Sequence, residues 1–251
     1  MTNDRQARAA RAEKMRKERE RADRRQRNTI TVAIVAIVVV LIGAAGWGIR
    51  SISKDNQKAT EVVEPRNLVE QGVPYPVEDD VDNSDAPVVE IFEDFLCPAC
   101  GNFEQVNGTF LQQQAASGAI QLRFMPFSFL HTMSTNDYSH RAMNIAMCAL
   151  DQEGPDAFWA VHGALYANQP AEGGPGPEDA ELISMAEDVG VEGLDSCVRT
   201  EKFVPWIDEI QDEFADGRKV SGTPTVHIDG KESDARTPAD LEAAFQAASK
   251  S

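Results

Sequence analysis

The residues best equipped for chemistry lie in "FLCPACGNF", residues 95–103, where Cys97 and Cys100 stand three apart around Pro98 and Ala99. A C-x-x-C pair serves dithiol redox chemistry, metal binding or a stapled turn, and the four letters alone leave all three open. Asp94 and Glu93 are the nearest acids, and Glu90 shares the strand face of Asp94 by alternation. Of the four histidines, His131, His140, His162 and His227, none has ligand spacing to the dithiol. His131 follows "FSFL" and comes nearest, with a surface or capping role as its ordinary reading.

The elements around the pair narrow the choice. "APVVEIFEDF" is a β-branched and aromatic run that predicts a strand leading straight into the cysteines. Cys97 then falls at a helix N-cap and Pro98 at the first helical position, where its missing N–H costs nothing. Phe103, Val106 and Phe110 recur at helical spacing, Gly118 supplies the stop, and "AIQLRFMPFSF" predicts a second strand. A helix N-terminus carries about half a positive charge and unpaired N–H groups, which favour an anion. Cysteine pKa values fall there from near 8.5 to roughly 3.5–7.5. Cys97 is therefore read as the reactive, exposed thiolate and Cys100, one turn in, as its buried partner. A metal reading weakens because no second ligand set lies at matching spacing, so no metal and no cofactor is expected.

From about 131 to 218 the pattern turns helical. Met143, Met147 and Leu150 recur at helical spacing, as do Phe158, Val161 and Leu165, then Leu182, Met185 and Val189, then Phe203, Trp206, Ile207, Ile210 and Phe214. "PAEGGPGPED" interrupts the run, giving a bundle of four or five pieces whose apolar stripes are assigned to packing. Strand character returns at "TPTVHID", with Asp229-Gly230 as a hairpin turn. Thr237 is a candidate N-cap for a last helix with Leu241 and Phe245 on its apolar stripe.

Charge divides the chain. Residues 1–29 hold eleven basic side chains against five acids, while the remaining residues carry thirteen basic and thirty-six acidic ones, a formal net of −23. Between the two compositions lies "ITVAIVAIVVVLIGAAGWGI", twenty uncharged residues, enough at about 1.5 Å per helical residue to span a hydrocarbon core. The basic head before it places the N-terminus in the cytoplasm and the acidic body outside. A cleaved signal peptide is the competing reading of the same run, and it leaves the body outside as well. An acidic body repels phosphates, which argues against a nucleic-acid partner. The expected organisation is a basic cytoplasmic segment 1–29, a transmembrane anchor 30–50 and a polar linker 51–85. A core domain over 86–130 and 219–250 follows, with a helical insertion 131–218.

Strand, C-P-x-C opening a helix, strand, helices, then "SGTPT" heading a strand: this order resembles the thioredoxin superfamily, and the helical insertion is similar to its DsbA-like branch. The resemblance covers roughly residues 86–250 and rests on "EDFLCPACGNFE", "RFMPFSFL", "AMNIAMCALDQ", "FWAVHGALYANQP" and "VSGTPTVHIDG". A single C-P-x-C is weakly specific, but its conjunction with a distant Thr-Pro at a strand start is strong. Membrane-anchored actinobacterial DsbA-like proteins are the most similar kind. The resemblance implies an α/β thioredoxin fold with Cys97 and Cys100 as the redox pair. It implies a cis Pro224, with the backbone of Thr223 pairing with a substrate peptide, where an ordinary trans proline is the alternative. It makes Asp94, Glu93 or Glu90 a proton relay to Cys100; a solvated strand end is the other reading. It pairs Cys148 with Cys197 in a structural disulfide, where two buried free cysteines are the alternative. Such a bond closes a loop of about fifty residues, worth roughly 4 kcal/mol in the chain-entropy model.

The function so implied is a monomeric extracytoplasmic thiol–disulfide oxidoreductase that introduces disulfides into unfolded secreted or cell-envelope proteins. A membrane partner, DsbB or a vitamin K epoxide reductase homologue, would reoxidise it. A reductase or isomerase on the same fold is the alternative within the class. A copper carrier is the alternative outside it, although such carriers resemble a C-x-x-x-C pattern.

Overall fold

The computed structural model describes residues 57–78 and 81–249. The basic segment 1–29 and the anchor 30–50 lie outside the described residues; among those described, no helix is long and apolar enough to cross a membrane.

Five strands form one mixed sheet: β1 (Val73–Pro74), β2 (Val88–Glu93), β3 (Gln121–Pro126), β4 (Thr225–Ile228) and β5 (Lys231–Ser233). Their order across the sheet is β1-β3-β2-β4-β5. β2 and β3 run parallel, with Val88 opposite Gln121 and Glu93 opposite Pro126, joined by the crossover helix α1 (Pro98–Ala116). β4 lies antiparallel on the other side of β2, Val89 opposite Ile228. Asp229 and Gly230, with φ of 49° and 74°, turn the chain from β4 into β5, the left-handed conformations that a tight hairpin needs. The C-terminal helix α7 (Pro238–Ala248) begins where the Thr237 side chain accepts from the Asp240 N–H. This is the α/β thioredoxin architecture.

The two sheet faces have different partners. Val89, Ile91, Leu122, Val226 and Ile228 pack against Phe103 and Leu111 of α1 and Leu241 and Phe245 of α7. Phe92 and Met125 face the inserted helices α2 (Tyr138–Glu153), α3 (Pro155–Ala167), α4 (Asp179–Asp188), α5 (Asp195–Arg199) and α6 (Val204–Asp216). Cys148 on α2 and Cys197 on α5 are joined by a disulfide, with Cα atoms 6.0 Å apart and 49 residues of separation.

Two expectations change. On α1 the buried positions are Cys100, Phe103, Asn107, Gly108, Leu111 and Ala115, and Val106 is 56% exposed. The inward face runs through a polar residue, Asn107, whose amide donates to the Phe103 and Arg236 carbonyls at 3.1 Å each. The second concerns the polar linker 51–85, of which residues 57–78 dock onto the body and supply the short strand β1. Val73 is fully buried, Tyr75 meets Trp159 edge-on at 5.0 Å, and the Trp159 indole donates to the Pro74 carbonyl at 3.0 Å. Arg66 pairs with Asp151 and Glu70 with Arg123, so polar residues as well as apolar ones hold the segment to the body.

Candidate active site

β2 delivers the chain into the dithiol, and α1 receives it. Cys97 is the N-cap of α1 in an extended conformation, Pro98 occupies the first turn, and Cys100 lies one turn in. The Cys100 and Gly101 N–H groups both donate to the Cys97 carbonyl, at 3.0 and 3.2 Å, which closes the first turn around the pair. Both thiols are free; Cys100 has no exposed surface, and Cys97 retains only 6%. Cys97 is thus more covered than a freely exposed thiolate would be.

The Thr223–Pro224 peptide bond is cis. It sets the Thr223 carbonyl 3.5 Å from the Cys97 sulfur, across 126 residues of sequence. On this side a groove of ≈ 290 Å³ runs between Ala99, Phe103 and Val106 of α1 and Pro224 and Arg236.

The two thiols are driven apart electrostatically. A hydrogen bond from the Cys100 thiol is the chief cause that draws Cys97 down to about 6, against the opposing effect of burial. The buried Thr223 hydroxyl, which makes no hydrogen bond within the protein, contributes next, followed by the N–H groups of Cys100 and Ala99. Burial drives Cys100 far upward, reinforced by that same hydrogen bond and by the charge of Glu93. One sulfur is an anion at neutral pH and its neighbour keeps its proton, the division of labour that thiol–disulfide exchange requires.

The three acids occupy three different environments. Glu93 is 1% exposed and faces the α1 side, near Cys100; burial raises its pKa well above the usual range, and the adjacent Glu104 adds to this. Asp94 is fully buried and accepts from the Leu96 and Leu130 N–H groups at 2.8 Å each and from the Ser139 hydroxyl. Burial lifts it to about 6 despite these donors, and its carboxylate ties β2, the loop after β3 and α2 together. Glu90 pairs with Arg218 and lies opposite His227 of β4. Of the three, Glu93 is the one whose charge acts on Cys100.

Several residues join the site that spacing in the sequence does not reveal. Gln169, beyond the end of α3, donates its amide to the Phe95 and Cys97 carbonyls at 2.9 Å each. A Cβ at Gly101 would lie 2.4 Å from the Gln169 Oε1, so a larger residue there would displace the Gln169 side chain. The Tyr166 hydroxyl reaches the Asp94 carbonyl at 3.5 Å. His162 is 1% exposed among Phe95, Phe124, Phe158, Trp159 and Tyr166, and its Nε2 approaches Glu93 Oε2 to 3.7 Å. Burial lowers its pKa to about 3. Spacing in the sequence singled out His131 as the nearest histidine, but it is His162 that packs against the same glutamate that Cys100 senses. His131 instead stacks on His140 at 4.3 Å, and His140 bridges Asp137 and Asp208. The sequence motif "FWAVHGALYANQP" carries both His162 and Gln169, but only as letters of a helix and the loop after it.

Comparison with known proteins agrees with this geometry. A family model described as thioredoxin matches residues 81–247. The chain resembles reduced DsbA from Mycobacterium tuberculosis with a TM-score of 0.60 and 32% identity, covering 70% of this chain and 91% of that one. It resembles the reduced disulfide bond oxidoreductase DsbG of the same organism with a TM-score of 0.58 and 33% identity, covering 74% and 85%. Among curated relatives, the M. tuberculosis serine/threonine-protein kinase PknE is 30% identical over 126 residues, 48% of this chain. The chain spans 22% of that kinase's length.

Proposed function

The chain belongs to the thioredoxin family and to its DsbA-like thiol–disulfide oxidoreductases, and from that premise we propose that it acts as an oxidase, introducing disulfides into unfolded chains. The observation that carries this reading is the polarised pair: Cys97 is stabilised as thiolate to about 6 while burial keeps Cys100 protonated. Whatever stabilises the reduced form makes the disulfide the stronger oxidant, a relation for which the DsbA enzymes are the standard example.

In the oxidised state, a substrate thiolate attacks the Cys97 sulfur, and the Cys97–Cys100 bond breaks as the mixed disulfide forms. Cys100 leaves with the electron pair and takes a proton, for which Glu93 is the adjacent buried carboxyl. A second substrate thiolate then attacks the substrate sulfur of the mixed disulfide, and Cys97 departs as the stabilised thiolate. Two electrons have passed from the substrate dithiol to the enzyme. The substrate backbone pairs with Thr223 while its side chains lie in the groove beside Pro224. Reoxidation falls to a membrane partner of the DsbB or vitamin K epoxide reductase kind.

The same reading puts the catalytic body outside the cytoplasm, held as a monomer by the apolar run 30–50 with the basic segment inside. Support comes from the charge split, and from the disulfide in the insertion, a bond that persists in oxidising compartments.

The test sets oxidation of a reduced, unfolded protein against reduction of insulin. Activity in the first assay and an equilibrium potential toward about −120 mV are expected; insulin reduction alone, with a potential near −270 mV, would make the chain a reductant. Reporters fused before residue 30 and after residue 251 check the topology, which fails if both report the same compartment.

A further inference from the structure

We propose that Glu93, Glu104 and His162 form a binding site for one divalent transition-metal ion of the zinc type, entered from the cavity between α1 and α3. Ligand atoms from the three side chains all lie within 4.8 Å of one another, at a point where β2, α1 and α3 converge. The chemistry of the set is mixed oxygen and nitrogen. Imidazole suits zinc and its neighbours and is a poor ligand for calcium or magnesium, while carboxylates complete many zinc sites.

Two further observations point to an occupant. Glu93 Oε1 and His162 Nε2 are buried without a hydrogen-bond partner, although both residues are 1% exposed. Buried polar atoms are ordinarily satisfied, and each exception calls for an explanation. The separation of Glu93 Oε2 and His162 Nε2, 3.7 Å, is too long for a hydrogen bond. It is close to the edge of about 3.4 Å that a tetrahedron with metal–ligand bonds of about 2.1 Å requires. The Glu93–His162 pair therefore needs to draw in by only a few tenths of an ångström around an ion, and Glu104, within 4.8 Å of both, closes on it by a side-chain movement.

Charge and access fit as well. Two carboxylates and a neutral imidazole offer a net charge of −2, which a divalent ion cancels in a site that cannot hold two bare anions cheaply. His162 is kept neutral by burial, the form that ligates. Glu104, half-buried, and His162 both line a cavity of ≈ 560 Å³ with Pro98, Gly101, Tyr166 and Gln169. That cavity supplies the path for the ion and room for water at the remaining coordination position. Binding stands independently of the oxidase reading. It touches that reading at one point: an ion and the Cys100 proton compete for the same Glu93 carboxylate.

The experiment must keep the dithiol from chelating. The full chain carrying Cys97→Ser and Cys100→Ser, with the Cys148–Cys197 bond closed, is titrated with Zn2+ in detergent by calorimetry. One equivalent should bind, and Glu104→Gln or His162→Gln should weaken it at least tenfold. Thermal melts without metal confirm that each variant is folded. On the unmutated ligand set, Co2+ should give visible ligand-field bands without a thiolate charge-transfer band, so the test survives if a variant fails to fold. Absence of a one-equivalent site, or a site unaffected in both folded variants, overturns the proposal. Because the variant carrying Cys97→Ser and Cys100→Ser has no redox pair, neither outcome bears on disulfide exchange.

Discussion

Removing the Cys100 thiol should raise the pKa of Cys97, because the hydrogen bond from Cys100 is the largest contributor holding Cys97 at about 6 rather than 9.0. At pH 7 a thiol titrating near 6 is about nine-tenths thiolate, whereas one at 9.0 is about one-hundredth. That gain of roughly ninety-fold is partly offset, since nucleophilicity falls with pKa by a Brønsted slope of about 0.4–0.5, or roughly twenty-fold over this range. The reduced native protein should therefore alkylate with iodoacetamide along a sigmoid centred near pH 6, with a modest plateau. In Cys100→Ala the midpoint should rise by about one unit or more, and the plateau at high pH should be higher, because the less stabilised thiolate is the better nucleophile. Ultraviolet absorbance of the thiolate gives the same midpoint without reagent. The sign for stability follows from a depressed folded-state pKa. The thiolate's contribution to the reduced form is fully present above about 9 and is lost as pH falls through about 6. A wild-type midpoint in the ordinary thiol range would refute the reasoning. So would a Cys100→Ala midpoint still near 6, which would move the cause to the N–H groups and Thr223.

Glu93→Gln should slow the half-reaction in which Cys100 gains or loses its proton by about tenfold at neutral pH, while leaving the Cys97 alkylation midpoint within a few tenths of a unit; stopped-flow oxidation of the reduced enzyme measures it. Gln169→Ala removes two donors from the Phe95 and Cys97 carbonyls and should cost about 1–3 kcal/mol in denaturant unfolding of the reduced protein. Cys148→Ser/Cys197→Ser should destabilise by about 2–5 kcal/mol, read as an earlier denaturant midpoint. Asp94→Asn should loosen the loop after β3, which its carboxylate holds through the Leu130 N–H, and speed amide exchange at Leu130.

Much of the dithiol's setting was legible because short-range rules govern it. A β-branched run, proline at a helix start and a Thr-Pro heading a strand each carry a local mechanism, and they locate β2, α1 and the Thr223–Pro224 bond. Spacing alone does not fix the inward face of α1, because Phe103, Val106 and Phe110 satisfy helical spacing as well as Cys100, Phe103, Asn107 and Leu111 do. Burial of Asn107 depends on an Arg236 carbonyl from another part of the chain, which periodicity cannot register. The docking of residues 57–78 is not legible in the sequence because it runs through single side chains, Val73 and Tyr75, and through ion pairs formed across large sequence distances. Glu104, His162 and Gln169 escaped for the same reason. Each acquires its meaning from a neighbour on another element, and none stands at a telling distance from the cysteines.

The carbonyl groups of Asp94, Phe95 and Cys97 are all met by side chains of the inserted bundle, through Tyr166 and Gln169. The four letters Cys97 to Cys100 are consequently not a portable cassette. Transplanted into another scaffold, the tetrapeptide would leave behind the clamps that orient its entry strand. Conversely, changes in α3 or the loop after it can shift the backbone that enters the dithiol while the tetrapeptide itself stays untouched. The bundle acts as a positioning body for a motif it does not contain.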